Sequence, residues 1–388
     1  MFLRFRKILY GASAVLFLVA GLPTLGLAGA KIKVDDTRWF SVGAGLRTSF
    51  AITEDGAPNG DDPSSGVSLN NMRLYTAAKV HENITIEFNT SYTNNAWAST
   101  QNNDLIEVLD AVAKFNIPAL GGFDFWIGRF LPPSDRSTLD GPYYLNAYGY
   151  PIVSQYPGIN AGRDNGIAVM KEIGGGKFKW SYGLFEGRTN GINAGTNPDQ
   201  SDNLLQAARL TYNLWDPEPG YYTTSSYFGA KDVFAVAFAM QSEKSGVGTA
   251  AADDRGDFIG WNIDVLMEKK VQNGGVVNLE YAHYNYDTDN KTDGTIKQGE
   301  ADLYLASYLL PNQIGWGKLQ PYFRYQMFNQ TNPGPATTVE GGHWRTEGGL
   351  NYIISGQNAK INMTYYTDRN GTGADEKNTF QLGFQFQL

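Results

Sequence analysis

The 388-residue sequence contains no cysteine, only three histidines, and few charged residues, which make up 18% of the chain. The absence of cysteine excludes a disulfide scaffold, covalent haem attachment and cysteine-ligated iron-sulfur clusters. No apolar run of 18 residues follows residue 30, so no spanning helix is predicted there. A chain of this composition could cross a membrane only as a closed β-barrel.

Residues 1–30 are predicted to be a secretory signal peptide. Three basic residues lie within 4–7, an apolar segment follows at 8–22, and small residues precede a cleavage site after Ala30. An uncleaved anchor is the alternative. The apolar segment is shorter than the roughly 20 residues that a spanning helix needs, and Pro23 follows it directly. We therefore expect residues 31–388 to be exported as one domain.

Loss of the signal peptide removes three basic residues and changes the formal net charge from −8 to −11. An acidic chain is a poor candidate for binding nucleic acid. Glycine, tyrosine and phenylalanine are abundant, at 45, 23 and 21 residues. This composition is typical of strands with tight turns and aromatic girdles.

The last ten residues, TFQLGFQFQL, have an apolar side chain at every second position from Phe380 to Leu388. Glutamine and glycine occupy the positions between them, so one face of a strand would be apolar and the other polar. Such a strand could cover the core of a soluble sandwich. It is also typical of the closing strand of an outer-membrane barrel.

Segments of this kind recur along the chain, and we count sixteen. They are residues 39–53, 67–80, 83–92, 104–116, 122–131, 163–173, 177–187, 203–215, 231–242, 257–269, 275–286, 298–310, 318–329, 342–354, 359–368 and 377–388. Long and short connections alternate between them, except that residues 216–230 form a long connection where a short one is expected. The pattern predicts a 16-stranded antiparallel transmembrane β-barrel with short periplasmic turns and long outer loops.

The longest connection, residues 132–162, is rich in tyrosine and contains several aliphatic residues. A connection this long is usually either functional or disordered, and its apolar content argues against disorder. We expect it to fold inward onto the wall of a wide, water-filled lumen. The alternative is that it packs on a neighbouring subunit or on the outer rim.

The stretch WIGRFLPPSDRSTLDGPYYLNAY resembles the strand-to-loop junction of bacterial outer-membrane porins related to the phosphate-selective porin O and P family. The stretch NLWDPEPGYYTTSSYFGAKDVFAVAF is also similar to these porins. The resemblance implies an outer-membrane homotrimer that lets small hydrophilic solutes and ions diffuse passively, with the long loop as its constriction. Leu131 replaces the family's basic residue and Ser134 its aromatic residue, so phosphate binding is not carried over.

The alternation also predicts which charged side chains face the lumen. The basic set is Arg47, Arg73, Lys79, Lys179, Arg209, Arg324, Arg345 and Lys360, and the acidic set is Glu87, Asp264, Glu268, Glu280, Asp302 and Glu347. The slight basic excess could attract anions, or the two sets could pair with each other. Our candidate constriction residues are Arg73, Arg129, Asp135, Arg136, Asp140 and Arg324. From the basic excess we expect weak anion selectivity at most.

Two other functions remain open at this stage. A barrel-embedded hydrolase would need a catalytic histidine, but the sequence has no Gly-x-Ser-x-Gly motif and no pair of histidines at a metal-ligand spacing. We therefore predict no enzyme activity, no cofactor and no metal site. A sleeve around a multihaem cytochrome, forming an electron conduit, would depend on a partner that the sequence does not reveal.

Overall fold

The computed structural model describes residues 29–94, 104–157, 161–187, 203–248, 255–291, 297–331, 341–371 and 374–388. All but the last two residues of the predicted signal peptide lie outside these ranges. Within the described ranges, no helix has the length and apolarity required to span a bilayer.

The described residues are mostly β-strand, with one short α-helix and one 3₁₀ turn. The strands are β1 Ala30–Lys33, β2 Trp39–Thr53, β3 Ser64–His81, β4 Ile84–Asn94, β5 Asp104–Ile117, β6 Phe123–Phe130, β7 Asp164–Ile173, β8 Phe178–Phe185, β9 Leu205–Asn213, β10 Val233–Gly248, β11 Arg255–Lys270, β12 Val276–Asp287, β13 Gly299–Leu309, β14 Gln313–Ile314, β15 Gly317–Gln330, β16 Gly341–Ser355, β17 Ala359–Asn370 and β18 Lys377–Gln387. The 3₁₀ turn is Pro118–Leu120, and helix α1 is Arg136–Tyr144.

Sixteen of these strands form a closed antiparallel barrel, which confirms the predicted architecture. Each pairs with the next along the chain, and β18 returns to β2 in a register that runs from Thr379 opposite Thr53 to Gln387 opposite Gly45. The short strands β1 and β14 only extend this wall, on β2 and β15. Closure pairs both edges of the sheet, as a bilayer requires.

The side-chain alternation predicted for the last strand is also confirmed. Gln385 and Gln387 are buried inside the barrel, whereas Phe380 and Phe386 are 36% and 45% exposed on the outside. Large apolar side chains are exposed in the same way on the outward faces of many other strands. The outer surface is therefore an apolar belt that only lipid or a neighbouring subunit would cover favourably.

Strands β3 and β10 exceed their predicted lengths by the most, because polar ends continue the pairing. Strand β3 begins at Ser64 and passes an irregularity in register opposite Arg47 and Thr48. Strand β10 extends to Gly248 through a bulge that follows Glu243. Such ends lack alternating hydrophobicity, so the sequence pattern stops before the hydrogen-bonded ladder does.

Two connections fold into the barrel from opposite ends. The longest one, residues 131–163, carries helix α1, which bends where Gly141 has a positive φ of 59° and Pro142 follows. The other connection, residues 214–232, lies at the end where the short turns are found and is the long exception noted in the sequence. We call the first the lumen loop and the second the lumen turn.

Phe384 tests the lipid-facing assignment. Phe384→Arg is expected to lower the free energy of unfolding in lipid vesicles by about 2 to 4 kcal/mol, because a charge near the bilayer midplane is poorly solvated. Denaturant titration monitored by tryptophan fluorescence measures the change. Phe384→Leu is the matched control and should have a small effect. Equal stability of the Arg and Leu variants would contradict a bilayer around this strand.

Candidate pore constriction

Several backbone carbonyls of the lumen loop accept hydrogen bonds from the barrel wall. Arg209 Nη1 donates to Ser134 O at 2.8 Å, Gln241 Nε2 to Pro133 O at 2.9 Å, and Lys360 Nζ to Leu145 O at 2.7 Å. Long polar side chains of the wall thus satisfy loop carbonyls that would otherwise be buried without a donor.

Further hydrogen bonds extend this attachment around much of the wall. Wall residues that bond to the lumen loop lie on β11, β12, β13, β15, β16, β18, β2 and β3, and include Asn262, Tyr284, Ser307, Gln326, Asn351, Gln385, Thr48 and Asn70. With β9, β10 and β17, the loop is bonded to eleven consecutive barrel strands. The described residues of the 132–162 segment therefore pack inward, as expected.

Asp135 lies at the centre of this attachment. It is fully buried, and its carboxylate accepts hydrogen bonds from Thr138 Oγ1 at 2.5 Å, Ser154 Oγ at 2.9 Å and Tyr284 OH at 2.9 Å. Burial raises the pKa of Asp135, and the hydroxyl donors oppose that effect. Asp135 ties two parts of the loop to strand β12 and does not face an open passage.

Arg136 joins the lumen loop to the lumen turn. Its guanidinium donates to Glu218 at 2.9 and 2.7 Å and to the carbonyl of Thr224 at 3.0 Å, and both charged side chains are buried. Burial alone would raise the pKa of Glu218, but the Arg136 guanidinium lowers it to about 2. This bidentate pair holds together two segments that enter the barrel from opposite ends.

A second carboxylate, that of Glu268 on β11, holds the lumen turn to the wall. Glu268 accepts from the backbone N–H of Gly229 at 2.8 Å and from Ser226 Oγ at 2.8 Å. The turn also bonds directly to the loop, because Ser225 N donates to Tyr144 O at 3.0 Å. Loop and turn therefore form one packed body inside the barrel.

Arg324, another predicted constriction residue, also anchors the loop. It is 2% exposed, pairs with Glu347 at 2.5 Å, and donates to Gly149 O at 2.9 Å. Arg209 pairs with Asp264 at 2.6 Å in the same way. The sequence left open whether the wall arginines attract anions or pair with carboxylates. Arg324 and Arg209 pair with carboxylates.

Two side chains predicted to face the lumen lie on the outer face instead. Arg129 alternates with the inward-facing Trp126 and Phe130, and its Nε donates to the outward Asn165 at 3.0 Å. Asp302 is outward too and contacts His283 at 3.0 Å. The expectation that polar residues face inward fails here because packed protein, rather than water, fills this part of the lumen.

Apolar residues face that packed protein. On β6 the ring of Trp126 lies 4.9 Å from Tyr221 of the lumen turn, and on β13 Leu303 and Leu305 are buried in the main core cluster. The polarity of the two strand faces is therefore inverted locally.

Open space remains on the other side of the barrel, against strands β3 to β9. A narrow cavity of about 100 Å³ lies between the wall residues Arg73, Tyr75 and Asn89 and the loop residues Leu139, Asp140 and Tyr144. A wider cavity of about 370 Å³ lies next to it, lined by Lys79, Thr85, Lys114, Trp126 and Lys179. Glu87 and Leu139 line both cavities, so the two are adjacent.

The charged side chains around these cavities are mostly paired. Arg163 pairs with Asp110 at 3.0 Å, and Lys114 pairs with Glu87. Arg73 is buried, stacks over the ring of Tyr143 with its Cζ 5.4 Å from the centroid, and has no hydrogen-bond partner for Nε among the described residues. Of the six predicted constriction residues, Arg73 and Asp140 alone line either cavity.

The sequence interpretation missed the partners that fix this geometry. Glu218, Asp110 and Arg163 were not among the candidates, although Glu218 lies in the one connection whose length broke the pattern. Sequence spacing does not reveal such pairs, because Arg136 and Glu218 are brought together only by tertiary packing.

No family model matches the sequence, and no curated protein matches it. Solved structures with a similar fold do exist. One is an anion-selective porin from Comamonas acidovorans, with 11% identity, 90% of this chain and 100% of that chain covered, and a TM-score of 0.55. Another is the trimer form of in-vitro folded OmpT, an outer membrane protein of Vibrio cholerae, with 13% identity, 91% and 100% coverage, and a TM-score of 0.54.

A third is OmpF of Salmonella typhi in complex with daunomycin, with 12% identity, 92% and 100% coverage, and a TM-score of 0.53. At these identities the likeness concerns the fold alone. The chain has the fold of a 16-stranded outer-membrane β-barrel.

The pair that joins loop and turn yields a prediction about stability. Arg136→Ala is expected to lower the free energy of unfolding by about 3 to 5 kcal/mol, because Glu218 would remain buried without its counter-charge. Thermal unfolding in detergent, followed by circular dichroism, measures the loss. The double variant Arg136→Met with Glu218→Met leaves no lone charge and should be more stable than Arg136→Ala. The opposite order would contradict a buried ion pair at this position.

Proposed function

We propose that the protein is an outer-membrane diffusion channel for small hydrophilic solutes and ions, with no chemical step. The observation that carries the proposal is the one-sided arrangement of the lumen. Residues 133–156 of the loop are bonded to the wall over eleven strands, from β9 round to β3, and two adjacent cavities lie against β3 to β9. This is the geometry of a wide barrel narrowed to a passage along one wall.

Two alternatives are less compatible with this lumen. A sleeve around a multihaem cytochrome needs a wide central space, and here the loop and the turn bond to each other across it. A hydrolase needs its groups at one site, but His283 faces outward beside Asp302, whereas His343 contacts Asp368 at 2.9 Å on the inward side of β16 and β17. Co-purification of a haem protein would favour the sleeve.

The location and assembly belong to the same proposal. We infer that the chain is exported with cleavage after Ala30, and that it inserts into the outer membrane of a Gram-negative cell through its apolar belt. A homotrimer is supported by the similar fold of OmpT, whose trimer form is among the solved structures. A native mass equal to one chain in mild detergent would contradict the trimer.

Asn89 and Phe88 are neighbours on β4 that test the position of the passage. Asn89 faces the narrow cavity, and Phe88 is 46% exposed on the outer surface. Asn89→Trp should reduce single-channel conductance in planar bilayers at least about two-fold, because the indole would occupy space in the narrowest part. Phe88→Trp is the matched control and should leave conductance unchanged. Equal conductance of both variants would place the passage elsewhere.

Arg73 is the basis of the expected selectivity. In the narrow cavity Asp110 and Glu87 each belong to an ion pair, whereas Arg73 belongs to none among the described residues, which favours a weak preference for anions. The reversal potential across a KCl gradient near neutral pH should indicate a chloride preference that fades at high salt, since screening acts over about 8 to 10 Å at physiological ionic strength. Arg73→Gln should abolish the preference. A cation-selective potential for the unaltered protein would overturn the assignment.

A further inference from the structure

The hydroxyl of Ser225 lies between two carboxyl groups from different parts of the molecule. Ser225 Oγ, on the lumen turn, is 2.7 Å from Asp140 Oδ2 on the lumen loop and 3.2 Å from Glu280 Oε2 on strand β12. A hydroxyl has one hydrogen and can donate to one carboxylate only. Both contacts can be hydrogen bonds only if the other carboxyl carries a proton and donates to Ser225 Oγ.

The remaining oxygens of this carboxyl pair are isolated. Asp140 Oδ1 and Glu280 Oε1 are buried and have no hydrogen-bond partner among the described residues. Two ionised carboxylates in such a place would compete for the single hydrogen of the Ser225 hydroxyl and would repel each other. Burial raises the pKa of Asp140 to about 8, although Arg136 opposes the shift. The geometry and the burial both favour one retained proton near neutral pH.

The neighbouring cations are already bonded to other groups, so they do not compensate a second negative charge on Asp140 and Glu280. Arg136 from the loop is committed to Glu218, and Arg324 from β15 is committed to Glu347. Glu268 from β11 adds negative charge and is held by the lumen turn. Lys360 from β17 also acts on the pair, but its Nζ donates to Leu145 O and to Gln357 Oε1.

Asp140 is also a wall of the narrow cavity, opposite the unpaired Arg73. A Cβ placed on the adjacent Gly141 would lie 3.9 Å from Arg73 Nη1, so the guanidinium reaches this part of the loop. With Asp110 and Glu87 paired to Arg163 and Lys114, Arg73 is the uncompensated charge that lines the narrow cavity while Asp140 is protonated. An ionised Asp140 would cancel it.

We propose that Asp140 and Glu280 share one proton through Ser225, and that this proton determines the ion selectivity of the passage. The inference rests on the proposed channel function. While the proton is on Asp140, the negative charge of the pair lies on Glu280, which does not line the narrow cavity, so Arg73 dominates the field there and anions are preferred. When the proton is lost as the pH rises, the charge on Asp140 cancels that of Arg73 and the preference disappears.

Reversal potentials in a KCl gradient across planar bilayers, measured as a pH series, test the inference. The chloride-to-potassium permeability ratio should fall about two-fold as the pH rises from about 6 to about 10, centred near the pH at which Asp140 loses its proton. The fall should be reversible on returning the same bilayer to low pH.

Two conservative variants test the pair. Asp140→Asn should remove the fall, because the carboxyl group of the pair that lines the narrow cavity is then gone. Glu280→Gln should move the fall to lower pH, because Asp140 no longer faces a second carboxylate, and an unchanged fall in this variant would overturn the shared proton. Asp124→Asn is the matched control, because Asp124 lines the wider cavity, and it should change the ratio at every pH while retaining the fall. Heat-dependent migration in gels checks that each variant has folded.

The outcomes separate the inference from the function on which it depends. An unaltered protein that carries no ion current would overturn both. A current with a permeability ratio that is constant over this pH range would overturn the shared proton alone. A fall that persists in Asp140→Asn would assign the titration to another group, such as Lys360, and would also overturn the inference.

Discussion

A backbone hydrogen bond left unmade inside a bilayer costs several kcal/mol, and the rest of this structure depends on that constraint. Each of the sixteen barrel strands pairs on both sides, and closure between β18 and β2 removes the last open edge. Closure of this many strands also creates a lumen wide enough for other segments. The lumen loop and the lumen turn occupy it, and they meet the same requirement by a different route, since wall side chains supply donors to their carbonyls.

Filling a lumen with protein changes the chemistry of the wall around it. Where the loop and turn pack, the inward face carries buried leucine and aromatic side chains or fully paired arginines such as Arg324. Where space remains, the wall carries Asn89, Lys79 and the unpaired Arg73. The inward face therefore differs around the circumference of the barrel. It is apolar or ion-paired where the loop and the turn pack, and it carries polar groups where open space remains. The proposed passage lies against these polar groups.

The fold could be predicted from the sequence because period-two alternation is a local signal. Strand β2 was predicted residue for residue as 39–53, and the alternating connection lengths indicated which ends were short. The site could be predicted only in part. Arg73 and Asp140 line the narrow cavity, whereas Arg136 and Arg324 are anchors, Asp135 is buried in the loop, and Arg129 faces outward.

These differences have one physical origin. The prediction of lumen-facing side chains assumed that water fills the lumen. A guanidinium in contact with water can act on passing ions, whereas one in contact with a buried carboxylate serves as an anchor. The partner of Arg136 lies 82 residues further along the chain, and strand periodicity holds no information about that distance.

The attachment of the loop to eleven strands also divides the barrel by local stability. Opening of the wall from β9 round to β3 would break hydrogen bonds to the loop as well as those of the sheet, whereas strands β4 to β8 are coupled to it more weakly. Local unfolding follows such differences in contact. Strands β4 to β8, which solutes would touch, are therefore freer to fluctuate, and the eleven strands bonded to the loop act as a rigid frame that keeps its shape.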